Sequence, residues 1–192
     1  EARVHSLEPE RPGRDWRGAV ERAADALPPQ PVGALEGRPD AALRPQVSLN
    51  GEWSIVAVDG AAPKAIRWKP EQIPSWHRRG EKASAFWYAR RFVIPKEMAG
   101  RRLRVEFGAV SMYCEVFLNG QPLGHHAGQY TPFAFDLGDA ARIGSPNTLL
   151  VYLVDESYAF VGEAALHQHS SNQLNRRELT NAAARSGIWQ DV

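Results

Sequence analysis

Short stretches in which apolar and polar residues alternate recur along the chain from residue 49 to residue 154. In Arg102–Phe107, for example, Leu103, Val105 and Phe107 alternate with two arginines and a glutamate. Because successive side chains of a strand point to opposite faces of a sheet, this alternation predicts a strand with one buried face. About seven strands are predicted in this way: Leu49–Val58, Phe86–Ile94, Arg102–Phe107, Tyr113–Leu118, Gln121–His125, Thr131–Asp136 and Thr148–Val154.

Two details of these segments indicate how the strands are connected and packed. Asn119-Gly120 directly follows Tyr113–Leu118, and this dipeptide is typical of a two-residue hairpin turn of type I′. Thr148–Val154 is apolar at nearly every position, as in a strand that is buried on both faces. Short strands separated by close turns predict an all-β fold, an antiparallel β-sandwich.

Residues 1–47 differ from the rest of the chain, because they contain seven of its 14 prolines. One helix fits between the prolines, since apolar residues recur at helical spacing from Trp16 to Leu27 and Asp15 is suited to its N-cap. Pro28-Pro29 would end it, and residues 28–46 would form an extended linker or a strap on another surface. The expected division is therefore an arm, 1–47, and a sandwich domain, 48–192; the alternative for the arm is a poorly ordered terminus.

The segment 155–186 is polar and shows no clear periodicity. A loop of this length in a compact domain is usually functional or disordered. The apolar motif Gly187-Ile188-Trp189 follows it, and the chain ends at Val192. A strand-like motif so close to the end predicts that the chain was cut from a larger protein.

The composition of the chain argues against some classes of function. With 23 Lys and Arg against 22 Asp and Glu, the chain has a net charge of +1, which argues against a protein that binds nucleic acid through phosphate contacts. No apolar run reaches the roughly 18 residues of a membrane span, and the N-terminus shows no signal-peptide pattern. The single cysteine, Cys114, cannot form an internal disulfide. The compartment stays open, with periplasm or secretion favoured slightly over the cytoplasm.

Seven motifs occur in an order that is typical of one family. They are Leu49–Trp53, Ile73–Trp76, Phe86–Pro95, Val116–Gly120 with Gly124-His125, Gly128–Asp136, Asn147–Val151 and Gly187–Val192. Together, over residues 48–192, they resemble the N-terminal sugar-binding domain of glycoside hydrolase family 2, which includes β-galactosidases, β-glucuronidases and β-mannosidases. The resemblance implies a jelly-roll sandwich with a galactose-binding-like fold, followed in such enzymes by an immunoglobulin-like domain and a catalytic barrel.

The resemblance also implies that catalysis takes place on another domain of such an enzyme. The family's two catalytic glutamates lie on the barrel, and a barrel of this kind needs roughly 250 residues, so we expect this chain to be non-catalytic. It would pack on the barrel of a retaining glycosidase that hydrolyses O-glycosidic bonds, lend loops to its active site, and support contacts in a homo-oligomer. Two alternatives are a free-standing carbohydrate-binding module and a structural interaction domain attached to another carbohydrate enzyme. The expected partners are a β-glycoside and the parent's own domains, with no nucleic acid and no membrane.

The residues themselves offer little catalytic chemistry. Glycoside hydrolysis needs two carboxyl groups that face each other, and no pair has suitable spacing, since Asp155 and Glu156 are neighbours and Asp191 is expected to be structural. Cys114 lies on an apolar strand face, where a buried inert thiol is expected. The pairs His125-His126 and His167/His169 do not by themselves make a metal site, so no metal and no cofactor are predicted.

Four residues are predicted to bind substrate: Trp76, Arg78, Asn181 and Arg185. In some family members the loops that correspond to Trp76–Ala85 and Gln173–Ser186 reach the first sugar subsite, and an aromatic ring suits a pyranose face. Asn181 stands six residues before Gly187, where glucuronidase-like members have an acidic residue, which puts a glucuronidase assignment in doubt. The alternatives are a Trp76 that anchors its loop on the sandwich and solvated Asn181 and Arg185 side chains. Trp53, Trp87, Trp189 and the run Tyr130–Phe133 are expected to be structural, whereas Trp68 lies in the predicted loop region 63–85 and is freer.

Overall fold

A computed structural model of the chain describes residues 13–34, 45–58, 61–75, 77–78, 85–111, 113–128, 130–154 and 185–192. Within these residues it contains the helix α1 (Arg17–Asp25) and thirteen strands. The strands are β1 (Gly33–Ala34), β2 (Val47–Ser48), β3 (Gly51–Ala57), β4 (Lys69–Ile73), β5 (His77–Arg78), β6 (Ala85–Val93), β7 (Arg104–Phe107), β8 (Val110–Ser111), β9 (Tyr113–Leu118), β10 (Gln121–Ala127), β11 (Phe133–Asp136), β12 (Pro146–Val154) and β13 (Arg185–Ile188).

Six of the strands form one antiparallel sheet in the order β10-β9-β12-β6-β3-β4. β12 lies near its middle and pairs with β6 from Pro146↔Val93 to Val154↔Ala85, and with β9 from Leu149 onward. The seven strands predicted from alternation are all present, with bounds that agree to within a few residues. The antiparallel, all-β prediction is therefore confirmed.

A second layer closes the sandwich. It consists of the pair β11–β7 and the three-stranded ladder β5-β13-β8. Between the layers, alternate residues of the large sheet meet apolar residues of the second layer, such as Phe107 and Ile188, which are both completely buried. Trp53 is 1% exposed and its indole N–H donates to the carbonyl of Leu49 at 2.7 Å, as expected for a buried tryptophan of the core.

The helix α1 covers the outer face of the large sheet. Its buried residues Val20 and Ala24, together with Trp16, pack against Trp87 and the outward residues of β12. This packing explains the nearly continuous apolar run in β12: Leu149, Val151 and Leu153 face the other layer, whereas Leu150, Tyr152 and Val154 face the helix. The prediction of a strand buried on both faces is confirmed.

Hydrogen bonds fasten the N-terminal segment to this sheet at both ends of the helix. The Trp87 indole N–H donates to the carbonyl of Gly13 at 2.9 Å, and the Thr148 hydroxyl donates to Asp25 at 2.6 Å. Further along, the Gln30 N–H donates to the carbonyl of Arg91 at 2.7 Å. Of the two alternatives for the arm, residues 13–34 thus form a strap on the sandwich.

The hairpin turn after β9 has the predicted conformation. Asn119 and Gly120 have φ values of 51° and 80°, and a type I′ turn requires positive φ at both positions. The Asn119 side chain also donates to the Ala140 carbonyl at 2.7 Å and to Asn147 at 2.8 Å, and accepts from the Thr148 N–H at 2.9 Å. Asn119 therefore adopts the conformation that the turn requires, and its side chain also holds Ala140, Asn147 and Thr148 against the turn.

Two predictions about local structure were wrong. Asp15 does not cap the helix, because it lies inside a 3₁₀ turn, Arg14–Trp16, and Trp16 occupies the N-cap without a side-chain hydrogen bond. The segment 63–85 was assigned to a loop, yet β4 lies within it. β4 is an edge strand with a proline and mostly exposed residues, so it lacks the apolar alternation by which the other strands were recognised. No helix among the described residues is long and apolar enough to span a membrane.

Candidate functional site

The strand β13 is the centre of the three-stranded ladder in the second layer. On one side its Gly187 and Ile188 pair with Ser111 and Val110 of β8. On the other side its first two residues pair with β5, with the register Arg185↔Arg78 and Ser186↔His77. Two predicted site residues that are more than a hundred positions apart in sequence are therefore directly opposite each other in this ladder.

Buried contacts hold β13 in its place. Ile188 is completely buried in the inner core, and its carbonyl accepts a hydrogen bond from the Ser75 N–H at 2.9 Å. The Trp189 N–H donates to the carbonyl of Ala109 at 3.3 Å. These contacts fix the strand from the side of the core, and they join it to the segment that leads into β5.

Hydrogen bonds join the last two residues of the chain to Leu49 and Asn50, at the start of the sandwich. The Asn50 side chain donates to the Asp191 carboxylate at 2.8 Å and accepts from the Val192 N–H at 2.9 Å, while the Leu49 N–H donates to the Val192 carbonyl at 2.7 Å. Nearby, a side chain at Gly108 would come within 2.8 Å of Gln190, so the close approach requires glycine. Asp191 has a structural role, as predicted.

The segments 79–84 and 155–184 are anchored at the same two places. Segment 79–84 runs from Arg78 to Ala85, and segment 155–184 runs from Val154 to Arg185. Arg78 pairs with Arg185, and Ala85 pairs with Val154. The described residues that flank segment 79–84 are therefore paired with those that flank segment 155–184, and these two segments overlap the predicted sugar-binding loops Trp76–Ala85 and Gln173–Ser186.

Of the four predicted site residues, the structure brings Arg78 and Arg185 together, in β5 and β13. Trp76 and Asn181 lie outside the described residues, so their roles stay predictions. Trp68 is partly buried against the cluster under the helix, which makes it an anchor of its loop and not an exposed sugar platform.

An exposed aromatic side chain, Tyr130, contacts the half-buried Trp189 just after β13. Tyr130 is 64% exposed, and its ring meets that of Trp189 edge-on, with centroids 5.7 Å apart and an interplanar angle of 79°. Sequence reasoning assigned both residues a structural role and missed this surface. The available signal was the position of Tyr130 between Gly128 and Pro132, where a turn can hold a ring outside the core.

Cys114, His125 and His126 were the described candidates for a reactive or metal-binding site. Cys114 is buried, as predicted, and this burial raises the pKa of its thiol to about 12, which keeps the thiol protonated at neutral pH. His125 and His126 point to opposite faces of β10: His125 stacks near Tyr113, and His126 stacks on Phe133 at 4.0 Å. Burial is the main cause that lowers the pKa of His126, with a smaller effect of the adjacent His125.

Two carboxylates of the described residues, those of Glu115 and Asp136, are held by hydroxyl or guanidinium groups. Glu115 accepts from the Tyr113 hydroxyl at 3.1 Å and pairs with Arg14 at 3.3 Å. Asp136 pairs with Arg102 at 2.5 Å, and this hydrogen bond lowers the pKa of Asp136. No group of three or more His, Cys, Asp or Glu residues that could hold a metal ion is found among the residues that the structure describes.

Comparison with known proteins agrees with this architecture. Residues 77–192 match the family described as glycosyl hydrolases family 2, sugar binding domain. The chain belongs to this family. The match covers β5 to β13 and thus includes both strands that carry the paired arginines.

Relatives of this family 2 domain are much longer proteins. It is similar to a β-galactosidase of Thermoanaerobacter pseudethanolicus, with 32% identity over 36% of this chain and 9% of that protein. It is similar to a β-galactosidase of Bacteroides ovatus, with 40% identity over 34% of this chain and 8% of that protein. The chain thus spans less than a tenth of these two relatives.

Among solved structures, the fold resembles that of a β-glucuronidase from Ruminococcus gnavus in complex with N1-substituted uronic isofagomine. The TM-score is 0.50 at 22% identity, over 56% of this chain and 21% of that chain. At this identity the likeness supports the sandwich fold alone.

Proposed function

We propose that this family 2 domain is a non-catalytic part of a larger retaining glycosidase that hydrolyses O-glycosidic bonds. Retaining hydrolysis uses two carboxyl groups about 5 Å apart. Within the described residues, the carboxylates of Glu115 and Asp136 are instead engaged by arginines, and they lie on different strands. The small share of its relatives that the chain spans also supports a catalytic centre on another domain.

The domain's contribution would be one wall of the sugar site. The observation that supports this proposal is that the described residues on either side of segment 79–84 pair with those on either side of segment 155–184, at Arg78↔Arg185 and Ala85↔Val154. Two loops that start and end together can present side chains to one ligand. In this proposal Trp76, Arg78, Asn181 and Arg185 contact the sugar while the sandwich holds the loops in position.

Residues 48–192 would be the sugar-binding unit, and residues 1–47 would brace it from the outer face, as residues 13–34 do through Trp87, Arg91 and Thr148. The partners in this proposal are the barrel and immunoglobulin-like domains of the same protein, with further copies of the protein in a homo-oligomer.

One observation favours a second function, a free-standing carbohydrate-binding module. The exposed ring of Tyr130, supported edge-on by Trp189, is an aromatic surface of the kind that stacks on a pyranose. In that case the chain alone would bind sugars, and Tyr130→Ala would remove the binding.

The proposal is tested with the complete product of the reading frame that encodes this chain. We expect it to hydrolyse aryl β-glycosides, and we expect the 192-residue chain alone to be inactive. Replacement of residues 173–184 in the complete protein by a Gly-Ser linker should raise KM at least tenfold, whereas replacement of Tyr130 by Ala should leave KM unchanged. Hydrolysis by the 192-residue chain, or an unchanged KM after the loop replacement, would refute the proposal.

A further inference from the structure

A groove lies between β2 and β7, where the two layers of the sandwich border a cavity of about 870 Å³. Val47 of β2 and residues 104–106 of β7 line its sides. Its floor is apolar and includes Phe92, Leu118 and Leu149 of the large sheet, which are all buried. Protein interiors are close-packed, with few voids larger than a water molecule. An apolar cavity of this size is therefore expected to hold a further part of the protein.

The last two residues of the chain run into this groove. The Gly108 N–H, directly after β7, donates to the carbonyl of Asp191 at 2.8 Å. The Leu49 N–H, directly after β2, donates to the carbonyl of Val192 at 2.7 Å. Consecutive carbonyl groups thus bond to opposite neighbours, as they do in the central strand of a sheet. Asp191 and Val192 begin a strand between the two sides of the groove.

The edge of β7 that faces the groove can pair with such a strand. Along β7 the backbone groups of successive residues point alternately to β11 and to the opposite edge. The Leu103 carbonyl accepts from the Leu137 N–H on the β11 side, whereas the Gly108 N–H points away from β11. The backbone groups of Arg104 and Glu106 share the orientation of Gly108 and point to the groove. Among the strands that the structure describes, β7 pairs with β11 alone.

We propose that the groove between β2 and β7 binds a β-strand formed by the residues that directly follow Val192 in the complete protein. The proposal rests on the proposed function, in which this chain is part of a longer protein. The strand pairs with Arg104 and Glu106 of β7 on one side. On the other side it pairs with Val47, whose backbone groups share the orientation of Leu49.

The position of Val192 determines which residues of this strand fill the cavity. Its side chain packs against the inner core, whereas that of Asp191 is exposed. Since side chains of a strand alternate between its faces, the second and fourth residues after Val192 face the apolar floor. The first and third face outward, as the exposed side chains of Arg104 and Glu106 do. The groove therefore requires apolar residues at the second and fourth positions.

The covalent connection favours this occupant over a strand from a second copy. Association of two molecules costs translational and rotational freedom. A strand that follows Val192 avoids this cost, because Val192 already lies between Gly108 and Leu49 through the hydrogen bonds of residues 191 and 192. The added strand binds by the same backbone pairing that attaches peptides to sheet edges in other proteins.

The first experiment compares amide hydrogen exchange in the complete product of the reading frame and in the 192-residue chain. We expect the Arg104 and Glu106 amides to exchange about a hundredfold more slowly in the complete protein, because the added strand accepts their N–H groups. The Val105 and Phe107 amides, which point to β11, are the internal control and should change much less.

Three results of this experiment would overturn the proposal. The first is rapid exchange of the Arg104 and Glu106 amides in the complete protein. The second is equal protection in both proteins, which would mean that another part of the 192-residue chain fills the groove. The third is protection in the short chain that rises with its concentration, which would identify a second copy as the occupant.

The second experiment supplies the strand as a separate peptide. The probe is a synthetic peptide of about ten residues, a full strand length, with the sequence that directly follows Val192 in the reading frame. We expect it to raise the Tm of the 192-residue chain by several degrees, and expect a scrambled peptide of the same composition to have no effect. No rise in Tm, or charged residues at the second and fourth positions of the natural sequence, would contradict the proposal.

Two proline variants locate the bound peptide. Glu106→Pro removes an N–H that points to the groove, and an edge strand tolerates proline where its N–H is not paired. We expect this variant to weaken peptide binding at least tenfold. Ala134→Pro is the matched control, because Ala134 lies opposite Glu106 on β11 and its N–H points away from β7. Equal binding by both variants would show that the peptide does not pair with β7.

The proposed strand and the proposed function can fail separately. If the complete protein hydrolyses glycosides but the Arg104 and Glu106 amides exchange rapidly, only the strand is wrong. If these amides are protected but the complete protein has no hydrolase activity, the strand stands and the proposed function fails. A reading frame that ends at Val192 would refute both.

Discussion

Removal of the Trp16 side chain tests whether the N-terminal segment is a structural layer of the domain. Trp16 is 3% exposed and packs in the cluster between α1 and the large sheet, beside Val20 and Trp87. Its buried indole nitrogen has no hydrogen-bond partner among the residues that the structure describes, so the expected loss of stability is worked out from packing. We therefore study Trp16→Ala.

The expected magnitude follows from buried area. A tryptophan buries about 150–250 Å², and at about 25 cal/mol per Å² this corresponds to about 4–6 kcal/mol. Measured Trp→Ala substitutions in cores cost about 3–5 kcal/mol. We expect Trp16→Ala to lower the free energy of unfolding by about 3–5 kcal/mol, unless the segment detaches first and limits the loss to its own docking free energy.

Urea unfolding monitored by far-UV circular dichroism measures the decrease in the free energy of unfolding. Hydrogen exchange of the α1 amides shows whether the helix has detached from the sheet. Arg22→Ala is the control, because Arg22 is exposed on the same helix and should change stability by less than about 0.5 kcal/mol. A Trp16→Ala protein as stable as this control, with unchanged exchange of the helix amides, would refute the view that the helix is a layer of the fold.

Three further predictions concern single side chains. Asn119→Ala should cost about 2–4 kcal/mol in urea unfolding, because three hydrogen bonds are lost and an alanine must adopt positive φ; Asn119→Gly, which tolerates that φ, should cost less, and an equal cost would argue against strain. Arg102 lowers the pKa of Asp136 in the folded state, so the pair's contribution is present above the ordinary value of 3.8 and is lost as pH falls below it. Asp136→Asn should therefore flatten the acid limb of a stability–pH curve, and an unchanged limb would show that the pair contributes nothing. With its pKa raised to about 12, Cys114 should react with a thiol reagent at pH 8 only after unfolding in urea, and rapid labelling of the native chain would contradict its burial.

Patterns within one segment were read correctly from sequence. Alternation identified β7, and the dipeptide Asn119-Gly120 identified the turn, because both depend on the conformational preferences of adjacent residues. The strands that escaped prediction, β1, β2, β4, β5 and β8, have two to five residues each. Such short strands exist because a partner from elsewhere in the chain offers hydrogen bonds, so their own sequence carries little signal.

In the helix α1, likewise, some features were predicted from the local sequence and others depend on contacts with distant residues. Its apolar spacing predicted it, and Pro28-Pro29 marked its end, but its start was misplaced because the chain enters through a 3₁₀ turn in which the Trp16 N–H bonds to the carbonyl of Gly13. That turn forms where Gly13 also receives the indole N–H of Trp87, a contact with the sheet.

The sequence by itself determined that the chain is an antiparallel sandwich with a helix before it, and that β12 is covered on both faces. Only the tertiary structure decided what covers β12, which is α1, and which residues meet at the candidate site. The opposition of Arg78 and Arg185 depends on the register of two strands joined through more than a hundred intervening residues. Contacts with distant parts of the chain hold β13 in this register: Ile188 at its end is buried in the core, and Asp191 just after it accepts a hydrogen bond from the Asn50 side chain.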